Sequence, residues 1–488
     1  MQSKQPQHIH KILSSRNLTY LKAAQEHYKR ASVAIAISHR NQPEHLVKAL
    51  SSALEQTLVK KGDAQIVILD DQSNAPWLEL LDGILSHPAI TILKADCGSP
   101  SRSRNMILDW ADSQKQISWI ARLDADDLFY CNESLEALYE KAVSEDIYAV
   151  IGSNALANDG AILADKNIAS ADILLDRDRL VDFIDAFCNG NQKQELPSCN
   201  LLLKTQTSIR YPGIRSAEDH WLLVRLLLLY PEQVSIVSAP LYSIYSLNGK
   251  TTSSNKIQGD WKSSRKKLAW VANRIRCAQK SNGRLLGFGM EGLVTREGER
   301  TIKEFYPWAM SDENASRLGK LLDKKHLPIP SGYWNKTENG WQFISTEVYE
   351  EKASQLIEKQ KVIDFLKVFY LAGLAPLNIK RDNLMFSSNG ELHYIDIGKD
   401  IQTLTSSYFL DLSARLYSIG ILGYSDEELV RRKSKHRPED ALADIPGFKE
   451  FYLELISSLH PQSSITYTPP RAYATDTDVI LLIKACAQ

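Results

Sequence analysis

The chain has 488 residues, 43% of them hydrophobic and 24% charged, with a net charge of −1. That length exceeds one ordinary core and predicts two or three domains. The near-neutral balance excludes a global field that would recruit a nucleic-acid polymer or an acidic membrane.

Residues 1–18 are polar and lack the apolar run of a signal peptide. Residues 9–30 have helix-forming composition, with Ile12, Leu13, Leu18 and Leu21 on one face. They predict an N-terminal helical segment that docks on the fold rather than on a partner. Residues 33–37 are a short apolar run bounded by polar residues, a buried strand. A helix follows over 43–57, with Pro43 at its start, where a missing N–H costs nothing. Residues 65–69 make a second buried strand ending in Asp70-Asp71. A helix over 75–85, a strand over 90–94, a helix over 101–110 and a strand over 117–123 continue the alternation. Strands alternating with helices predict an α/β, doubly wound sheet with its ligands at the carboxyl ends of the strands. That places Ser38, Asp70, Asp71, Asp124 and Asp126 along one rim.

The greasiest run, 221–230, contains Arg225 and is too short to span a bilayer. Composition shifts after Ser246, with a polar loop over 248–255 and a basic, helix-like connector over 257–280. From Arg284 the pattern becomes strand and hairpin, with 293–295 and 301–303 flanking a turn at 296–300. The chain ends on 481–485, which reads like a helix cut short. Four segments result: a helical segment 1–30, a first domain 31–255, a helical connector 256–283 and a second domain 284–488. The six cysteines are scattered without a C-x-x-C pair, which predicts free thiols in a reducing, cytoplasmic setting and no structural zinc.

Asp124 and Asp126 lie two apart at a strand end, so their side chains share a face. Paired carboxylates there suit Mg²⁺ or Mn²⁺ and, through it, a diphosphate. An isolated D-x-D is more often a solvated acidic turn, but this one has company. Ser38-His39-Arg40-Asn41 follows the first strand, and Asp70-Asp71-Gln72-Ser73 the second. Ser103-Arg104-Asn105 precedes the Leu123-Asp124-Ala125-Asp126-Asp127 segment, and Ala217-Glu218-Asp219-His220-Trp221 comes later. Together these resemble a family-2 glycosyltransferase of the GT-A fold. The resemblance implies nucleotide-sugar contacts at Ser38, Arg40, Asp70, Asp71, Arg104 and Asp124, and metal contacts at Asp124 and Asp126. It implies Asp219 as the general base of an inverting transfer. Many relatives carry a histidine where Tyr245-Ser246-Leu247-Asn248 stands, which leaves the third metal contact unassigned.

Gly287-x-Gly289-x-x-Gly292 alone is weak, because dinucleotide folds share it. Here β-type residues and a hairpin follow, then Lys303, rather than the helix a dinucleotide site needs. Asn378-Ile379-Lys380-Arg381-Asp382-Asn383 and Asp396-Ile397-Gly398 come downstream. This set resembles protein-kinase-like and lipopolysaccharide-kinase-like phosphotransferases, and predicts an α+β, bilobal second domain. The resemblance implies ATP contacts at Gly287, Gly289, Gly292, Lys303 and Lys380, with Glu313 as partner of Lys303. It implies Mg²⁺ at Asn383 and Asp396. Asn378 stands where the family has its catalytic Asp, and an amide cannot take a proton from a hydroxyl. A natural pseudokinase, a kinase with another base, and an introduced Asp→Asn change all fit, the last slightly favoured because the other positions are intact.

The resulting expectation is a bifunctional enzyme of bacterial surface-polysaccharide assembly. It would take a nucleotide sugar and ATP, with a glycan or lipid-linked glycan as acceptor. Peripheral association with the inner face of the cytoplasmic membrane is left open. Two alternatives are a glycosyltransferase governed by an inactive ATP-binding module, and a protein-modifying glycosyltransferase.

Overall fold

In the computed structural model, the apolar runs become buried strands of one sheet. The structure describes residues 18–459 except 75, 146, 159–160, 164–169, 193, 195, 208, 215, 247–258, 281–282, 323–325, 347–350, 353–355 and 425–444. The chain divides into two units, Met1–Leu285 and Leu286–Gln488.

In the first unit the strands are β1 (Thr19–Lys22), β2 (Val33–His39), β3 (Ala64–Asp71), β4 (Ile90–Ala95), β5 (Trp119–Arg122) and β6 (Leu128–Phe129). They continue with β7 (Ala149–Gly152), β8 (Asn154–Asn158), β9 (Ala161–Leu163), β10 (Leu201–Lys204), β11 (Val234–Val237) and β12 (Ser243–Ser246). Eight form a mixed sheet in the order β1-β4-β3-β2-β5-β10-β7-β11. The four central strands β4, β3, β2 and β5 are parallel. All eight residues of β3 are buried, as a strand covered on both faces requires. The helix Pro43–Leu54 buries Leu46, Ala49, Leu50 and Ala53, a single stripe at helical spacing.

Strand β3 lies on one side of β2 and β5 on the other, so the order in which strands are added across the sheet reverses there. The crevice above such a switch point collects ligands. It lies at the ends of β2 and β5, just before Arg40 and Asp124. Strand β10 then enters antiparallel to β5 and β7. A second sheet, β6-β12-β8-β9, pairs Phe129 with Ser243 and so brings Ser246 to the acidic segment.

The helix expected over 9–30 does not form in its described part; residues 1–17 lie outside the described residues. Thr19–Lys22 is strand β1, antiparallel to β4, and Tyr28–Arg30 is a single 3-10 turn. Edge pairing satisfies the backbone, and the Trp110 Nε1–H donates to the Tyr20 hydroxyl at 2.7 Å. Such tertiary contacts outweigh a weak helix propensity. The expected connector is likewise no free linker. Asp260–Lys280 is a helix that buries Leu268, Val271, Ala272 and Ile275. It packs on the helix Arg177–Cys188, and Asn273 Nδ2 donates to Asp185 at 3.3 Å. Among the described residues no helix is long and apolar enough to cross a membrane.

The second unit begins within β13 (Arg284–Phe288) and continues with β14 (Gly292–Glu297) and β15 (Arg300–Phe305). The helix Asp312–Leu322 follows, then β16 (Gly332–Thr337) and β17 (Gly340–Ser345). The sheet runs β13-β14-β15-β17-β16. After it come the helices Lys359–Ala372, Ser406–Leu416 and Phe448–Leu459, with short paired strands between the first two. Phe369, Leu384, Tyr394, Phe409 and Phe448 form their shared core.

Gly292 shows how tightly β14 meets β15. A Cβ there would stand 2.3 Å from the Glu304 carbonyl oxygen, a backbone atom that cannot turn aside. Gly292→Ala is expected to destabilise the second unit by about 1–3 kcal/mol through overpacking. Urea unfolding measures this, and an unchanged midpoint would refute the close approach.

Candidate functional site

Strand β5 ends at Arg122, and residues 124–127 turn back on themselves, with the Asp127 N–H donating to the Asp124 carbonyl at 3.0 Å. The period-two reading that paired Asp124 with Asp126 therefore does not apply. A turn instead gathers donor atoms of Asp124, Asp127 and Cys199 within 4.8 Å of one another. Asp127 is buried and accepts from the Ser246 N–H at 3.0 Å. Asp126 is half-buried beside it.

Asp124 is gripped by two arginines. Arg122 donates from Nε to Oδ1 at 3.0 Å and from Nη2 to Oδ2 at 2.6 Å, a bidentate pair. Arg104 Nη2 adds contacts at 3.2 and 3.3 Å, while its Nη1 reaches Glu218 at 2.5 Å. Both guanidinium groups lie near the Tyr211 ring, 5.5 and 5.8 Å from its centroid. Asn105 fixes Tyr211 by exchanging two hydrogen bonds with its backbone, at 2.9 and 2.8 Å. Burial opposes ionisation of Asp124, but the Arg104 and Arg122 charges outweigh it and hold the carboxyl at about 2.

Asp219 opens the helix Glu218–Leu229, preceded by Ala217 at φ 64. Left-handed backbone at a residue with a Cβ stores strain of order 1–3 kcal/mol, which gathers at functional sites. The Asp219 carboxylate accepts from the His220 N–H at 2.8 Å. It lies 3.9 Å from Arg122 Nη2 and 4.0 Å from the Cys199 sulfur. Burial would raise its pKa, but His220, Arg122 and Arg104 pull it well below the usual carboxylate range. Burial drives His220 itself down to about 4, so at neutral pH the arginines supply that charge. Arg265, from the helix Asp260–Lys280, places Nη2 3.1 Å from His220 Nδ1 and lies 3.7 Å from the Trp261 ring centroid.

The other expected nucleotide-sugar residues line the strand ends, with different duties. Asp71 is consumed structurally. It accepts from the Cys97 N–H at 2.5 Å, from the Gly98 N–H at 3.1 and 3.0 Å, and from the Ser103 hydroxyl at 3.1 Å. Asp70 accepts from the Ser73 N–H at 2.9 Å. Ser38 is half-buried and Arg40 exposed at the end of β2. Between them His39 is buried, pushed down to about 4 by burial and set edge-on to Trp77 at 5.0 Å. Arg122, Tyr211, Glu218, Cys199 and Arg265 had no place in the expected site. The legible signal was Arg122, a lone arginine in a buried apolar strand, which needs a partner.

Five carboxyl groups, of Asp124, Asp126, Asp127, Glu218 and Asp219, thus converge on two bonded guanidinium groups. Burial, and then the neighbouring carboxylates, push Asp126, Asp127 and Glu218 upward. Oxygen donors short of positive charge fit a hard divalent cation, which Asp126 and Asp127 would hold, whereas both Asp124 oxygens already accept from the arginines.

In the second unit two short pairings assemble the other constellation. Leu384 faces Tyr394 across a hairpin, which brings Asn383 to Asp396. Pro376 faces Ile401, which brings Asn378 alongside. Lys303 Nζ donates to Asp396 Oδ1 at 2.5 Å and to the Ile397 carbonyl at 2.9 Å. Asn378 and Asn383 donate amide N–H groups to Asp396 Oδ2 at 3.2 and 3.1 Å. Asn383 Nδ2 also donates to the Asn378 carbonyl at 2.8 Å. Glu313, the expected partner of Lys303, is exposed in the first turn of its helix, and Asp396 takes the ammonium instead. Lys380 is exposed, and its charge helps Lys303 hold Asp396 low against burial. Gly287 and Gly289 have nothing within 4 Å of where a Cβ would stand. Both Asp396 oxygens carry protein donors, and Asn383 turns its nitrogen to Oδ2 because a carboxylate only accepts. These residues do not fit a divalent cation.

The first unit thus carries this acidic site at the switch point of a mixed α/β sheet. Residues 34–198 match the family Glycosyl transferase family 2. No curated protein matches the chain. Among solved structures, it is similar to S. aureus TarS 1–349 in complex with UDP-GlcNAc, at 16% identity and TM-score 0.35, over 46% of this chain and 61% of that one. It is also similar to the mannosyltransferase PcManGT from Pyrobaculum calidifontis in complex with GDP-Man and Mn²⁺, at 12% identity and TM-score 0.34. That match covers 55% of this chain and 69% of the other. The chain thus spans less than two thirds of the TarS fragment.

The raised carboxyls set a sign for metal binding. They hold protons in the folded state above their ordinary pKa, so they cost stability as pH rises through that window, and a cation competes with those protons. Mn²⁺ is therefore expected to raise the melting temperature more at about pH 8 than at about pH 5. Thermal melts in both buffers check this; a pH-independent shift, or one unaltered by Asp126→Asn, would count against the cation site.

Proposed function

We propose that the first unit is an inverting glycosyltransferase that takes its sugar from a nucleotide-sugar donor. The observation that carries this reading is the juxtaposition of Asp219 with the Arg104–Asp124–Arg122 cluster at the switch point. In this reading Asp219 Oδ2 accepts the proton of the acceptor hydroxyl as that oxygen attacks the anomeric carbon. The carbon–oxygen bond to the nucleoside diphosphate breaks on the opposite face. A carboxylate held ionised is always ready to accept, though its low pKa in the free protein makes it a weak base. Loss of contact with Arg122 on substrate binding would raise it. Arg104 and Arg122 present preorganised positive charge to the departing diphosphate. When bound, Mg²⁺ or Mn²⁺ at Asp126 and Asp127 would supply further charge there. The acceptor we favour is a glycan or lipid-linked glycan, as in surface-polysaccharide assembly.

For the second unit we propose a nucleotide-binding module that does not transfer phosphate. What supports this is the Lys303–Asp396 pair on a glycine-edged antiparallel sheet with a helix after the lysine strand, an arrangement that suits a nucleotide phosphate chain. Against phosphoryl transfer stands Asn378, whose amide faces Asp396 where a base is needed.

UDP-GlcNAc and GDP-mannose with Mn²⁺ are suitable first donors. Asp219→Asn is expected to lower release of the nucleoside diphosphate by roughly 10²–10⁴-fold while donor binding persists. Turnover by the variant at the wild-type rate would remove Asp219 from this role. Wild-type protein releasing no diphosphate from any donor of a broad panel would defeat the transferase reading.

A further inference from the structure

We propose that the second unit binds ATP through Lys303 without a divalent cation, its Asp396 being held by the Asn378 and Asn383 amides and the Lys303 ammonium in place of a metal. The inference rests on the nucleotide-site reading above and concerns what the site needs in order to bind.

Charge is the first argument. With an aspartate at 378, two carboxylates would face each other across about 3 Å, and like charges that close need a shared proton or a cation between them. With Asn378 only Asp396 remains. Lys303 Nζ lies 2.5 Å from it, and the Lys380 charge reaches it too. The neighbouring Glu291 is matched by Lys399 at 3.2 Å. The cluster of Lys303, Lys380 and Asp396 therefore carries an excess of positive charge, and a polyphosphate needs no metal to offset repulsion.

Hydrogen bonding is the second argument. Asp396 Oδ2 accepts from both Asn378 and Asn383, at 3.2 and 3.1 Å. Asn383 spends its other amide hydrogen on the Asn378 carbonyl at 2.8 Å. A cation would have to strip these donors and turn Asn383 so that its oxygen met the cation and its nitrogen left both acceptors. ATP meets a different surface. The Lys303 ammonium has one hydrogen beyond those given to Asp396 and Ile397, and Lys380 is exposed. The edge at Gly287 and Gly289 is unobstructed where side chains would stand. The Gly289 N–H is itself given to the Gly292 carbonyl at 3.0 Å, so what this edge offers a phosphate is close approach, and the lysines offer the charge.

Isothermal titration of the full-length protein with ATP tests this, once in excess EDTA and once in excess Mg²⁺. The dissociation constants are expected to agree within about threefold, and Lys303→Met should weaken both by about tenfold or more. Asn378→Asp should make binding Mg²⁺-dependent, with EDTA weakening it by about tenfold. Wild-type binding seen only with Mg²⁺ overturns the proposal while leaving the nucleotide-site reading in place. No binding under either condition overturns that reading and the proposal with it. Binding that Lys303→Met leaves intact lies elsewhere, and also overturns the proposal.

Discussion

The first unit is organised by one buried ion cluster, in which Asp124 accepts from Arg122 and Arg104 at once. Burying an arginine is costly unless every donor finds a partner. Arg122 meets that demand with Asp124 on one edge and the Ser198 carbonyl, at 3.1 Å, on the other. Its own carbonyl accepts from the Tyr242 hydroxyl at 2.7 Å. The cluster thus ties the end of β5 to the segment before β10 and the one before β12. It forces residues far apart in sequence into one small volume, and Glu218 and Asp219 come to it as further carboxylates. Strain at Ala217 is tolerated because this network over-determines the turn.

Much of the scaffold was legible. Residues 33–37, 65–69 and 90–94 become β2, β3 and β4 almost as read, because short apolar runs with polar ends have few alternatives. The helix over 75–85 was less so: it breaks at Leu81 into Trp77–Leu80 and Asp82–Leu85. At the N-terminus composition misled. Thr19, Tyr20 and Leu21 suit a strand as well as a helix, and only the free edge of β4 decides between them. Long-range pairing of that kind leaves no local signature.

The site was legible in its residue types more than in its pairings. Asp124, Asp126, Arg104 and Asp219 were nameable because their segments, in order along the chain, resemble the motifs of a family-2 glycosyltransferase. Which carboxylates meet depended on where β5 stops, and a strand end is uncertain by a residue or more. Asp71 fastens the loop at 97–98 and Ser103, a duty its place at a strand end does not announce. Arg265 was invisible because its helix read as a linker, and its contact with His220 spans forty-five residues. In the second unit Lys303, Asn383 and Asp396 were foreseen together, whereas the Glu313 pairing failed because an ammonium takes the nearest buried carboxylate. Asn378 was legible as an anomaly, and the geometry gives that anomaly a partner.

The helix Asp260–Lys280 carries a practical consequence for anyone dissecting the molecule. The family match stops at residue 198, and composition alone would draw a border near 255. Yet the helix Arg177–Cys188 turns Leu180, Val181 and Ile184 inward, and the later helix packs against it. Excision at either border would strip that cover and leave a greasy groove on the fragment, besides removing Arg265 from His220. The smallest piece able to behave as the intact first unit therefore ends no earlier than Lys280. A fragment that precipitates when cut shorter would report a missing lid, not a missing catalyst.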